Sequence, residues 1–140
     1  MMMKQQTSFL QIQTHGQGLT MLNVDISNWI LKTGIVTGLL TLWCKHTSAS
    51  FIVQENVDPD VRHDILHYLN DLVPENRSYL HNSEGKDDMP AHIKTILTQT
   101  HLSIPVVNRQ MVLGMWQGIY LFEHRKHPHL REIALHLLGE

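Results

Sequence analysis

LSIPVVNRQMVLGMWQGIYLF, residues Leu102–Phe122, holds two β-rich runs separated by a two-residue polar step, with no helical spacing in it. Leu102–Val107 reads as one strand, and Asn108–Arg109 suit the tight turn of a hairpin. Met111–Phe122 reads as the next strand, bent near Gly114 or Gly118, where a bulge or a close backbone approach would need glycine. Ile133–Leu138 adds a third. Strands that follow one another without an intervening helix point away from a doubly wound sheet.

Working outward, Thr7–Gln13 alternates apolar and polar residues as a half-buried strand does. Leu39–Cys44 is a continuous apolar run, expected to be covered on both faces, and His46–Gln54 leads into a further strand. Helices are fewer. Asp25–Lys32 opens on an acidic cap and stops at Gly34. Asp58–Leu72 has Asp58 as N-cap and Pro59 at the first helical position. Its apolar stripe (Val61, Ile65, Tyr68, Leu69, Leu72) has helical spacing, and Ile65, Leu69 and Leu72 are expected in the core. Met89–Leu97 forms a third helix entered through Pro90. The expectation is α+β: one compact domain over residues 1–140, a mixed, largely antiparallel sheet or sandwich, and about three helices.

Composition narrows the function. A net charge of -2 and a pI near 6.6 leave no electrostatic footprint for nucleic acid. No apolar stretch approaches the ~18 residues of a membrane span, and MMMKQQTSF lacks the apolar core of a signal peptide, so a cytoplasmic protein is expected. The lone Cys44 sits in an apolar run and reads as a buried, reduced thiol. Eleven histidines are many for this length, and imidazole is the commonest side-chain metal ligand.

HNSEGKDDMPAH, His81–His92, concentrates the chemistry. Glu84, Asp87 and Asp88 crowd three carboxylates into five positions, a repulsive arrangement unless a positive group sits among them. They can hold a hard cation such as magnesium, orient metal-bound histidines, or cap the following helix, and Asp88 before Pro90 fits a cap well. Glu84, next to Gly85, has no such structural use. His81 and His92 flank the loop and can converge on one ion. His46 emerges at a strand end beside Thr47, Ser48 and Ser50, either as a third ligand or as an imidazole satisfied by the backbone. Three neutral imidazoles with an open position suit zinc or a similar metal. Asn56 lies in a strand-to-helix turn facing a possible pocket. Gln117 is a polar side chain in an apolar strand and needs a partner from substrate or an adjacent subunit. Arg125, Lys126 and Arg131 read as a solvated edge.

HTSAS at 46–50, ENVDPD at 55–60, EGKDDMPAH at 84–92 and GMWQGIYLFE at 114–123, in that order, resemble the YjbQ-like family. That family is also described as secondary thiamine-phosphate synthase-type proteins. The resemblance runs from about Thr7 to Glu140. It implies a compact α+β fold, a homotrimer, a metal-containing pocket and a weak thiamine-phosphate synthase activity. Met115 departs from the family pattern of a small hydroxyl residue, and FEHRKHPHLR carries extra histidines.

The expected site is then Glu84, Asp87 and Asp88 as catalytic carboxylates and His46, His81 and His92 as metal ligands. Thr47, Ser48, Asn56 and Gln117 are the expected contacts to a small phosphorylated or anionic ligand. A transferase joining a pyrimidine diphosphate to a thiazole phosphate, with loss of diphosphate, is the reading the resemblance favours. A divalent ion would neutralise the departing charge. Imidazole ligands favour zinc over the magnesium usual in diphosphate chemistry. A metal-dependent hydrolase and a non-catalytic trimeric module binding metal and a small anion are the alternatives.

Overall fold

The structure, a computed structural model, describes residues 2–140. Eight strands and three helices run in the order β1 (Lys4–Gln13), β2 (Gly18–Met21), α1 (Asn23–Thr33), β3 (Gly38–Cys44), β4 (Ala49–Glu55), α2 (Pro59–Leu72), α3 (Asp88–Leu97), β5 (His101–Val107), β6 (Gln110–Met111), β7 (Gln117–Glu123) and β8 (Leu130–Gly139). They form a five-stranded sheet, β1-β8-β3-β5-β6, and a three-stranded sheet, β2-β7-β4. Every ladder is antiparallel, so the fold is α+β without the mixed pairing allowed for.

The core lies between the sheets. Leu40 and Leu42 from β3, Ile133, Leu135 and Leu137 from β8, and Phe51, Ile119 and Leu121 from the small sheet are buried together with Ile26 and Ile30 of α1. β7 is buried on both faces from Gly118 to Glu123, because α2 and α3 cover the far side of its sheet. The outer face of the large sheet has no such cover. β3 therefore differs from expectation: its alternate residues Leu39 and Trp43 stay 47% and 51% exposed. Cross-strand register places Phe9, Ala134, Trp43 and His101 in one row on that open face.

The segment Met111–Phe122 is not one bent strand. Its first residues pair with β5 in the large sheet and its last with β4 in the small one. The switch is made by a turn in which the Gln117 amide N–H donates to the Gly114 carbonyl at 3.0 Å and the Gly114 N–H to Gln117 Oε1 at 2.8 Å. Gln117 thus finds its partner locally.

α1 begins two residues before Asp25, which lies in its first turn and is not the cap. Asn23 Oδ1 accepts from the Ile119 N–H at 2.7 Å, spending that side chain on β7. Gly34 closes the helix at a left-handed φ of 72°. α2 starts as expected, with Asp58 Oδ1 accepting from the Asp60 N–H at 2.9 Å and Pro59 following. Its stripe is not core: no residue of α2 is buried. Tyr68 and Leu72 are exposed, while Ile65 and Leu69 line an open groove of about 710 Å³ with Ile52, Val53 and Leu97. α2 lies over the edge of the small sheet, with Tyr68 and Leu72 turned to solvent.

Asn108 and Arg109 have φ of 52° and 63°, the left-handed pair that a two-residue hairpin of this kind requires. Arginine bears a steric cost there that glycine does not. Arg109→Gly should therefore stabilise the protein by about 0.5–1 kcal/mol, since the Arg109 N–H donated to Val36 O is kept. Urea unfolding of both proteins checks this, and a lower midpoint for the variant would show that the Arg109 side chain itself contributes.

Candidate metal centre

The site is assembled where the small sheet ends. Glu123, the last residue of β7, is buried against Arg131 of β8, whose Nε donates to Glu123 Oε1 at 2.8 Å. Thr14 Oγ1 donates to the same carboxylate at 2.6 Å. Arg131 Nη2 donates onward to the Ser48 carbonyl and hydroxyl at 3.2 and 2.9 Å. One ion pair thereby fixes the ends of β1, β4, β7 and β8 together.

Arg125, two residues beyond Glu123, holds the loop that carries the candidate ligands. Its Nε donates to Asp87 Oδ2 at 2.9 Å, its Nη1 to Asp88 Oδ1 at 2.7 Å and its Nη2 to the Glu84 carbonyl at 2.9 Å. The Lys126 N–H adds a bond to Asp87 Oδ2 at 2.9 Å. This is the positive group that the crowded carboxylates need. Burial pushes the Asp87 carboxyl up, but the Lys126 amide and the Arg125 guanidinium outweigh it and hold the group below the usual range. Asp88 behaves alike: burial raises it, while His81, Glu84 and the charge of Arg125 bring it below the ordinary value. Asp87 occupies the N-cap position of α3 without capping it, and its carboxylate serves Arg125 instead. Gly85 makes the turn with φ 109°, and a Cβ there would meet Asp87 Oδ1 at 3.0 Å.

Asp88 and His92 stand one helical turn apart on α3. His81 Nε2 lies 2.5 Å from Asp88 Oδ2, and His92 Nε2 lies 3.3 Å from it. One donor atom from each of His81, Asp88 and His92 falls within 4.8 Å of the other two. His92 Nδ1 donates to the Thr47 carbonyl at 2.9 Å, which leaves Nε2 as the nitrogen that faces Asp88 and could meet an ion. Glu84 Oε2 is 3.7 Å from His81 Nε2 and remains largely exposed. Two imidazoles and a carboxylate are a fitting donor set for a zinc-type ion with an open position and a poor one for magnesium.

His46 is not in this cluster. Its Nε2 accepts the Glu132 N–H at 2.8 Å, so that lone pair is used, and Asp88 takes the third place expected for it. Burial, then the nearby Arg131 charge, lowers the His46 pKa. His46 instead walls a cleft of about 630 Å³ with His92, Trp43 and Thr95. Of the expected substrate contacts, Thr47 is near the cluster, but the Ser48 hydroxyl is taken up by Arg131. Asn56 and Gln117 lie at the opposite end of the β4–β7 ladder from Glu123, roughly 20 Å away at ~3.3 Å per residue. The structure does not bring them to the cluster.

Arg125 and Arg131, expected at a solvated edge, are instead the organisers of the site. Glu123 and His124 fall in quoted motifs, but the sequence alone assigns neither a role. The available signal was three polar residues, Glu123–Arg125, directly continuing the buried run GIYLF with no turn residue between.

An antiparallel two-sheet α+β domain with a histidine–carboxylate cluster on one helix and its preceding loop is the class these observations define. The chain belongs to the family described as UPF0047 protein YjbQ-like, whose model matches residues 8–140. It is 48% identical over 138 residues to UPF0047 protein sll1880 of Synechocystis, covering 98% of this chain and 94% of that one. UPF0047 protein YjbQ of Escherichia coli O157:H7 is 42% identical, covering 94% of this chain and 96% of its own. Among solved structures, hypothetical protein APE1520 of Aeropyrum pernix superposes with a TM-score of 0.88 at 27% identity, covering 96% of this chain and 99% of that one. A yjbq/upf0047 family protein of Clostridium acetobutylicum superposes with a TM-score of 0.84 at 30% identity, covering 91% and 97%. These likenesses establish family and fold.

His124, beside the cluster, carries a pH consequence. It is buried, with Nε2 2.8 Å from Ser50 Oγ and Nδ1 without a partner among the described residues. Burial first, then the charges of Lys94 and Arg131, lower its pKa to about 3. The unfolded chain takes up this proton near pH 6.5 and the folded one does not. Stability should thus fall as pH drops below about 6.5, by up to ~1.4 kcal/mol per unit from this residue. His124→Gln should flatten that slope between pH 6.5 and 4.5 in denaturant titrations. An unchanged slope would assign the acid sensitivity elsewhere.

Proposed function

We propose that this chain is a metal-dependent enzyme acting on a small anionic substrate, with one divalent ion, zinc in preference to magnesium, held by His81, Asp88 and His92. The observation that carries the reading is the convergence of three donor atoms, two of them already oriented by a second group. Thr47 O fixes the tautomer of His92, and Arg125 fixes Asp88 as a carboxylate. A bound ion of this type acidifies a coordinated water and neutralises charge that builds on an oxygen. Glu84 is the carboxylate near the cluster that Arg125 leaves free, holding only its backbone carbonyl. It takes the role of general base, exchanging protons at its Oε2. Asp87 touches neither imidazole and serves as a positioning residue through Arg125 and the Lys126 amide.

This donor set favours hydrolysis over the diphosphate-releasing transfer of a thiamine-phosphate synthase. The free Glu84 carboxylate keeps the transfer as a second reading, since an oxygen-ligated magnesium beside the first ion would need such a group. A coordinatively saturated ion with no turnover would instead mark a binding module. The buried, unpaired Cys44 thiol fits a reducing cytoplasm.

We also propose assembly as a homotrimer. Two separate apolar surfaces lie open, the Phe9–Trp43 row of the large sheet and the groove beside α2. A contact of one surface against the other in the next copy is heterologous, and with a rotation of a third of a turn it closes into a three-membered ring. Light scattering should give three times 16.2 kDa; a monodisperse monomer at micromolar concentration would refute the trimer.

For the metal, elemental analysis of protein purified without added ions should show one zinc per chain. His81→Ala and His92→Ala should lose it, and Glu84→Gln should keep it. If both alanine variants retain the ion, the ligand set is wrong. In a turnover screen over phosphate and diphosphate esters, Glu84→Gln should reduce the rate by roughly 100-fold with little change in melting temperature. An unaffected rate would remove Glu84 from catalysis.

A further inference from the structure

We propose that Arg77 and Lys86 form a seat for a dianionic, phosphate-type oxyanion on the His81 side of the cluster. The loop between α2 and α3 folds into a concave cleft of about 340 Å³, walled by Asn76, Arg77, Ser78, His81, Asn82 and Lys86 among others. His81 belongs to both this cleft and the cluster. An anion in the cleft therefore lies against the imidazole whose Nε2 meets Asp88.

Charge in the cleft is unbalanced. Its one carboxylate, Glu75, is occupied by Lys126 Nζ at 2.7 Å. The Tyr79 hydroxyl donates to the Pro74 carbonyl at 2.8 Å. Arg77 and Lys86 have no acidic partner among the described residues. Of the other cations close to the site, Arg125 is paired with Asp87 and Asp88, Arg131 with Glu123 and Lys45 with Glu132, and the buried Lys94 donates to Asn70 Oδ1. Two unpaired cations facing one concavity are thus a local feature, set apart from the neutralised charges around it.

The chemistry fits a dianion. A guanidinium offers a planar fork that matches two oxygens of a phosphate, and an ammonium supplies a second, compact charge. The amides of Asn76 and Asn82 and the Ser78 hydroxyl provide neutral donors for the remaining oxygen atoms. A monoanionic carboxylate would leave one of the two positive charges uncompensated. The seat deepens the metal-enzyme reading and rests on it for the anion's part in a substrate, not for the binding itself.

The test is calorimetric titration of the full chain with inorganic phosphate, with chloride holding ionic strength constant. Wild-type protein, stripped of metal, should bind one phosphate per chain saturably. Arg77→Gln/Lys86→Gln should weaken this at least 10-fold while metal content and melting temperature stay unchanged, because both side chains are exposed. His92→Ala should lose the metal and keep phosphate, and acetate should bind at least 10-fold more weakly than phosphate. Absence of saturable binding, equal binding by the double variant, or parity of acetate with phosphate would overturn the proposal. A wild-type protein that binds phosphate but never holds stoichiometric metal would refute the metal reading alone and leave the seat standing.

Discussion

Arg125 faces a problem that sequence-local interactions cannot solve: a loop with acidic groups at 84, 87 and 88 beside a sheet end. Its fork meets the carboxylates of Asp87 and Asp88 and the Glu84 carbonyl at once. A lysine in its place has a single compact head and cannot reach three acceptors in a plane. Removing the guanidinium would leave Asp88, a side chain only 3% exposed, as an uncompensated buried charge, the costly half of a broken ion pair. The position of the proposed metal ligand, and part of what keeps it ionised, thus derive from one side chain on a different element.

That side chain is in turn placed by the Glu123–Arg131 pair, whose glutamate, two residues earlier, accepts the Arg125 N–H at Oε2. The pair sits where β7 hands over to β8 and reaches Thr14 and Ser48, so the large and small sheets are locked at the end where the cluster lies. At the other end the connection is looser in kind: Met111 leaves one sheet, Gln117 enters the other, and the turn between them is closed by its own amide groups. The candidate site lies at the end held by buried charge. Asn56 and Gln117 stand at the end that is held by a turn and by the neutral amides of Asn23 and Gln117.

Much of the fold was legible in the sequence because its signals are local. Asp58–Pro59 starts a helix, Gly34 ends one, and Asn108–Arg109 turns a hairpin, each through the conformation of the residues themselves. That His81 and His92 come together was legible for the same reason, since they flank one short loop, and Asp88 lies within it. What could not be read was set by distant partners. His46 looks like a ligand until the Glu132 amide claims its lone pair, 86 residues away. Arg125 and Arg131 look like surface charge until Asp87, Asp88 and Glu123 are brought to them. The Leu39–Cys44 and Ile65–Leu72 stripes show the converse: apolar spacing says that a face wants cover, not that the same chain supplies it.

α2 illustrates what that means for motion. A helix with no buried residue is attached to the rest of its own chain by half-buried Ile65 and Leu69 beside Ile52 and Val53, the contact of Arg62 with Tyr120 and the hydrogen bond from Lys94 to Asn70. Few buried contacts resist its separation from the small sheet, so its amide hydrogens belong to the least protected part of the molecule. Any partner seated along Ile65 and Leu69 would slow their exchange in proportion to its occupancy. The exchange rates of these amides would then depend on protein concentration in a way that those of β7, sealed on both faces, would not.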